Sequence, residues 1–165
     1  MINDNMDVMG VLDIILTDEF GNIKDTRHVE NLVTNAGKTF LGVAILSTSS
    51  SPFTHMSLGI GVTAAAVGDT QLQTELVSGS NGATTNSRIV FTSTTPAAGT
   101  PPSVVMSTTY GPNVPSSSTT IAVTEAGIFN SATPGAGTML SHVVFSPINK
   151  APADTLTIQW TVTLN

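Results

Sequence analysis

Three histidines, His28, His55 and His142, are the only side chains in this sequence that could serve as a general base near neutral pH or offer an imidazole to a metal ion. No two of them are close in sequence, and no zinc-protease spacing occurs. His55 and His142 lie inside predicted strands, where we expect structural imidazoles with satisfied hydrogen bonds. His28 lies near Arg27 and Glu30 on a strand that we expect to be partly solvated. The histidines therefore predict neither a catalytic nor a metal site.

Carboxylates are the second group that could do chemistry. The segment of residues 3–7 (NDNMD) lacks the order of a calcium-binding EF-hand loop, so we expect a solvated terminus or an arm that docks on a partner. A glycosidase needs two facing carboxylates, and nothing in the sequence selects a pair among the acids outside the N-terminal region. We therefore expect no enzyme activity, no catalytic residues and no cofactor. Those remaining acids are Asp69, Glu75, Glu125 and Asp154.

Residues 59–64 (GIGVTA) match the glycine spacing of a dinucleotide-binding loop. A polar loop follows them where that motif needs a helix, and no acid stands at the required distance, so we expect these glycines to allow a tight turn. The chain has no cysteine, which excludes disulfides and thiolate chemistry. With five basic residues and a net charge of −6, it offers little to a nucleic acid, and we expect none as a partner.

The sequence is poor in charge and rich in hydroxyl groups. It holds 43 serine and threonine residues but only 16 charged ones, and between Arg88 and Lys150 the single charged side chain is Glu125. Free-standing domains carry about 25–35% charged residues on their surface. Together with a mean hydropathy of +0.24, this predicts a surface that is partly covered in an assembly. The alternative is an ordinary β-domain that serine and threonine keep in solution.

The elements that must position these residues are mostly strands. Residues 11–17 and 23–33 predict a hairpin around the turn cluster of residues 18–22. One short helix is predicted near residues 35–46, capped by Thr34 or Asn35. Residues 69–76 predict a further turn or two of helix. Other strands are predicted over residues 53–60, 88–94, 103–110, 119–124, 127–130, 139–145 and 155–164.

The last predicted strand alternates without error between apolar and polar residues, which places Trp160 on its core face. The whole pattern predicts a mainly β protein, an antiparallel β-sandwich or jelly-roll-like domain with that one helix. We expect residues 1–9 to form an N-terminal arm and residues 10–165 a single domain. No apolar stretch approaches the ~20 residues that a membrane span needs, so we expect no membrane partner.

Four segments, taken in order, carry a resemblance: residues 31–37 (NLVTNAG), 54–61 (THMSLGIG), 124–130 (TEAGIFN) and 145–161 (FSPINKAPADTLTIQWT). Through them the chain resembles structural proteins of tailed-bacteriophage virions. The resemblance implies a particle component without catalytic residues. It leaves two roles open: a capsid decoration (cement) protein, or a tail, baseplate or tail-fibre component.

We favour the decoration protein, because the chain has no coiled-coil heptads and no shaft-forming repeat. Such a protein would lie on the outer capsid surface, bind the major capsid protein and assemble as a homo-oligomer, in this case a trimer. A carbohydrate-binding sandwich is a third alternative. It would use exposed aromatic residues, and with Trp160 directed inward only Tyr110 is left for that role.

Overall fold

A computed structural model describes residues 7–44, 51–97 and 99–165 of the chain. These residues form nine strands and one helix, which confirms a mainly β protein with one short helix. No helix in this part of the chain is long and apolar enough to cross a membrane. The elements are β1 (Val8–Thr17), β2 (Ile23–Val33), α1 (Asn35–Ala44), β3 (His55–Gly59), β4 (Ile89–Val90), β5 (Ser93–Ala97), β6 (Ser103–Tyr110), β7 (Ile121–Phe129), β8 (Met139–Lys150) and β9 (Thr155–Leu164).

The nine strands belong to one curled antiparallel sheet in the order β4-β3-β7-β8-β2-β1-β9-β6-β5. Strand β2 joins its two halves. Residues 23–31 pair with β1, whereas only Leu32 and Val33 pair with β8. The expected sandwich or jelly roll, with two separate layers, is therefore not confirmed, because hydrogen bonding runs through β2 from one half to the other.

The two outer strands of the sheet come from one short segment, residues 89–97. Strand β4 pairs with β3 and strand β5 pairs with β6. Between them, the Phe91 N–H donates to the Thr54 carbonyl at 2.9 Å and the Thr92 N–H donates to the Ser107 carbonyl at 2.7 Å. The sheet thus curls until one segment spans both its edges. The single strand predicted over residues 88–94 is wrong, because that segment leaves one edge and joins the other.

One large hydrophobic core fills the inside of the curl. Both halves contribute, with Leu12, Ile158 and Trp160 from one half and Leu58 and Ile128 from the other, all fully buried. The Trp160 Nε1–H donates to Asn31 Oδ1 at 3.0 Å, so the one polar group of the indole is satisfied inside. The alternation predicted for β9 is confirmed from Thr155 to Thr163, whereas Leu164 at the end of the strand is exposed.

The hairpin turn and the helix cap form as predicted. Asp18 Oδ1 accepts hydrogen bonds from the backbone N–H groups of Phe20 (2.9 Å) and Asn22 (2.8 Å), and Gly21 adopts the positive φ of +84° that this turn needs. Thr34 Oγ1 accepts from the Gly37 N–H at 3.0 Å, which makes Thr34 the N-cap of α1. These contacts are local in sequence, which is why the pattern revealed them.

Other boundaries differ from the prediction. Residues 69–76 contain no helix. The strands predicted over residues 119–124 and 127–130 are one strand, β7, whose pairing with β8 is irregular between Val123 and Glu125. Of the expected arm over residues 1–9, residues 1–6 lie outside the described part of the chain, and Val8 and Met9 begin β1. Residues 45 and 46 of the predicted helix also lie outside it.

Candidate functional site

The structure keeps the three histidines apart and gives each a different environment. His28 Nδ1 lies 2.6 Å from Asp13 Oδ1 on the solvent-facing side of the hairpin, where the side chain of His28 is 71% exposed and that of Asp13 is 49% exposed. His55 Nδ1 lies 2.8 Å from the Thr54 hydroxyl. Burial, and then the positive charge of Arg88, lower the pKa of His55. The third, His142, is fully buried. No two imidazoles therefore share a site.

His142 lies between two carboxylates. Its Nδ1 is 2.8 Å from Asp69 Oδ2, and its Nε2 is 3.0 Å from Glu125 Oε2. Burial alone would lower the pKa of His142, but the hydrogen bonds to Glu125 and Asp69 outweigh it and raise the pKa above its ordinary value. Both ring nitrogens have a carboxylate partner, to which the protonated imidazole donates on both sides, so the expectation of a satisfied structural imidazole is confirmed for His142.

Glu125 is the centre of this arrangement, because its carboxylate hydrogen-bonds a loop to the sheet. Its Oε1 accepts from the backbone N–H groups of Gly61 and Thr74, each at 2.8 Å, and its Oε2 accepts from the Gln73 N–H at 3.0 Å. Burial would raise the pKa of Glu125, but the bond from His142 and these backbone donors lower it below its usual range. The ionised carboxylate thus holds both ends of the loop of residues 61–74.

The same carboxylate explains why glycine occupies positions 59 and 61. A Cβ atom at Gly59 or at Gly61 would overlap the Glu125 side chain and the chain at Thr74 or Gln73. The glycines therefore permit close approach of the loop to Glu125. We expected these glycines to allow a tight turn. The sequence did not reveal the contact with Glu125, because Glu125 lies more than 60 residues further along the chain.

A second buried cluster surrounds Arg88. Its guanidinium binds Glu75 with two nearly parallel bonds, Nε to Oε1 at 2.7 Å and Nη2 to Oε2 at 2.8 Å. Its Nη1 donates to the carbonyls of Thr133 (2.9 Å) and Ala136 (2.8 Å). The guanidinium carbon also lies 3.6 Å from the centre of the Phe129 ring. Arg88 therefore fixes the β7–β8 connection, and its donors face protein atoms.

A third cluster closes the β8–β9 corner. Lys150 Nζ donates to the carbonyls of Gly111 (3.0 Å) and Asp154 (2.7 Å). Burial lowers the pKa of Lys150 to about 8, although the carboxylate of Asp154 opposes the shift. That carboxylate also binds Lys24 Nζ at 2.6 Å. The charged groups at this corner therefore also bond to other groups of the protein.

These clusters account for every charged side chain that follows Lys38 in the sequence. Four of the six are buried, and the other two form ion pairs, Asp69 with His142 and Glu75 with Arg88, with their side chains 25% and 10% exposed. The surface contributed by the later three quarters of the chain is therefore almost free of unpaired charge. The four buried side chains are Arg88, Glu125, Lys150 and Asp154.

Apolar side chains lie exposed on the same molecule. Phe20 is 81% exposed, Val62 76% and Val90 61%. They come from the hairpin, from the Glu125-bound loop and from the β4 edge, so they are spread over the surface. Among the residues that the structure describes, no three histidine or acidic side chains gather as a group that could hold a metal ion.

The platform expected for sugar binding is missing. Tyr110 is fully buried, as is Trp160, so neither ring can stack on a carbohydrate at the surface. No protein-family model, no curated protein and no solved structure matches the chain.

The sequence pointed to Glu125 without revealing its role. A lone acid inside a long uncharged strand region is a signal that the side chain has a buried partner, because an isolated buried charge costs several kcal/mol. What the sequence could not supply was the partner, since Gln73, Thr74 and His142 meet Glu125 only when β7, β8 and the loop come together.

Proposed function

We propose that this protein is a structural component of a tailed-bacteriophage virion: a capsid decoration (cement) protein on the outer capsid surface. One observation carries the proposal. After Lys38 every charged side chain is buried or paired inside the fold, so the exterior is more neutral than the composition alone implies. A surface of this kind suits permanent contact with other chains.

The exposed side chains favour contact with protein over contact with a charged ligand. The outward face of β9 is lined by threonine, with Thr157, Thr161 and Thr163 half-buried and Gln159 exposed. Such a face offers hydroxyl groups and methyl groups to a neighbouring chain. Exposed charged side chains, such as Glu19, Glu30 and Lys38, concentrate instead on the β1–β2 hairpin and at the start of α1, which suggests that this end stays in water.

Binding would be additive. We propose that each protomer adds a modest interface with the major capsid protein, and that a homotrimer multiplies it by symmetry, so that the assembly binds more tightly than one contact allows. The part of the expected N-terminal arm that precedes β1 would add a further contact. We also propose that the two halves of the sheet act as the two layers of a sandwich-like domain, since their side chains share one core.

The location of the protein on intact particles tests this role. Cryo-electron microscopy of virions that contain the protein should show its density in a regular lattice over the shell, because a cement protein occupies equivalent capsid positions. Density confined to the tail would favour the tail or baseplate role instead. Absence of the protein from purified virions would contradict both.

A further inference from the structure

The sheet opens between β2 and β8. These strands pair through Leu32–His142 and Val33–Ser141, and the register continues on one side with the Thr34 N–H donating to the Leu140 carbonyl at 2.9 Å. On the other side the next register position is Asn31 with Val143, and the next hydrogen-bonded pair would be Glu30 with Val144. Within the described part of the chain, β2 before Leu32 pairs only with β1, and β8 after His142 pairs only with β7.

Backbone polar groups face this opening from both strands. In an antiparallel strand the N–H and C=O groups of successive residues point alternately to the two sides. The register that bonds Leu32 to His142 therefore directs the backbone groups of Glu30 and Val144 into the opening. Those of Val143 point the other way, towards Ala126 of β7. The opening thus has the hydrogen-bonding pattern of two facing strand edges.

The outer edges of the sheet differ from this opening. Strand β4 is only two residues long, and β5 contains Pro96, which has no N–H to offer. Short strands and proline are the usual protection of a sheet edge against unwanted pairing. On β8, Val143 and Val144 at the opening have no such protection. This contrast singles out the opening as a place where pairing is permitted.

The opening is also a cleft of suitable size and chemistry. It has a volume of about 470 Å³. One wall is residues 30–32 of β2, the other is residues 142–144 of β8, and Val62, Ala64 and Ala65 of the Glu125-bound loop cover one side. Glu30, which is exposed, is the one acidic side chain among these lining residues. The remaining lining is small or apolar apart from Asn31 and His142.

We propose that this cleft is a strand-acceptor site, which binds an extended segment of a different protein chain as an added strand between β2 and β8. The segment would satisfy the backbone groups of Glu30 and Val144, place small apolar side chains against Val62 and Ala65, and bring a basic residue to Glu30. The choice of a different chain as donor rests on the proposed assembly role. The cleft itself follows from the strand register.

A matched pair of loop variants tests the site. Ala65 lines the cleft, whereas its neighbour Ala66 is exposed and does not. Ala65→Trp should fill the cleft, and Ala66→Trp should leave it open. The probe is the synthetic peptide Thr-Val-Thr-Val-Lys-Val-Thr-Val-Thr-amide, labelled with fluorescein at its N-terminal amine so that the lysine stays charged, and measured by anisotropy. A version with proline in place of the two valines beside the lysine is the control peptide.

We expect saturable binding of the peptide to the wild-type protein and no binding of the proline version. Ala65→Trp should weaken binding about tenfold or more, and Ala66→Trp by less than about twofold. Thermal unfolding of both variants establishes that they are folded. Equal affinity of the two variants, or no saturable binding to the wild-type protein, would overturn the proposal. This assay needs no virion, so its result is independent of the proposed role on the particle. The peptide can fail to bind although the protein is found on virions, and the peptide can bind although the protein is absent from them.

Hydrogen exchange tests the geometry and the donor. In dilute isolated protein the Val144 amide should exchange much faster than the Val143 amide, which bonds to β7, and added peptide should slow it. A protected Val144 amide in dilute protein would overturn the proposal, since the cleft would already be closed. Protection that appears only as the protein concentration rises would make a second copy the donor, which overturns the assignment to a different chain.

Discussion

At the scale of single residues, several of the few charged side chains are buried and hold loops in place through hydrogen bonds and ion pairs. Glu125 accepts hydrogen bonds from three backbone N–H groups and pairs with the imidazole of His142, and Arg88 donates to Glu75 and to two loop carbonyls. Burying charges is costly unless each is fully hydrogen-bonded. These groups meet that condition, so they fix loops that contain little regular structure of their own.

The His142 ion pairs give stability a defined pH dependence. The pKa of His142 is raised in the fold, so its contribution is fully present below the unfolded pKa of about 6.5 and is lost as pH rises through the higher folded pKa. We expect the free energy of unfolding, measured with urea, to fall across that range by at most about 1.4 kcal/mol per pH unit.

The variant His142→Asn is the control for this prediction, because it removes the titrating group while other titrating groups, such as Lys150, remain. The difference between wild type and variant should therefore shrink as pH rises. A difference that stays constant from about pH 6 to pH 9 would contradict the assignment of a charged, doubly bonded imidazole at this position.

At the scale of elements, the strands with a regular pattern and the first hairpin turn were predictable from the sequence, and the longer connections were not. The period-two pattern of β9 and the turn chemistry of the first hairpin depend on neighbouring residues, and both are confirmed. Residues 69–76 look helical by local propensity, but the Gln73 and Thr74 N–H groups bond to Glu125 instead of to helix carbonyls. The β4–β5 crossover likewise depends on contacts with β3 and β6, which no local pattern contains.

The burial pattern of β9 predicts that substitutions on its two faces change the free energy of unfolding by unequal amounts. Trp160→Ala should lower the free energy of unfolding by about 3–5 kcal/mol, because it leaves a cavity in the core and removes the donor to Asn31. Its neighbour Gln159 is exposed on the opposite face, and Gln159→Ala should change stability by less than about 0.5 kcal/mol. Equal losses in urea denaturation would contradict the assignment of these faces.

At the scale of the whole molecule, charge divides the surface into two parts. The β1–β2 hairpin and the start of α1 carry the exposed acids and bases, such as Glu19, Glu30 and Lys38, whereas the surface formed by later residues is covered with hydroxyl and methyl groups. The uneven charge distribution was visible in the sequence. The internal pairing of the later charges was not, since every pair joins residues that are distant in the chain or are brought together by the sheet.

Our central claim is that this neutral surface is covered by other chains, in the first place by copies of the same chain. The mass of the purified protein in solution, measured by sedimentation equilibrium at micromolar concentrations, tests it most directly. We expect three times the chain mass of 17.0 kDa, at ionic strengths that would dissociate a contact made by charges. A stable 17.0 kDa monomer over the whole concentration range would contradict the claim.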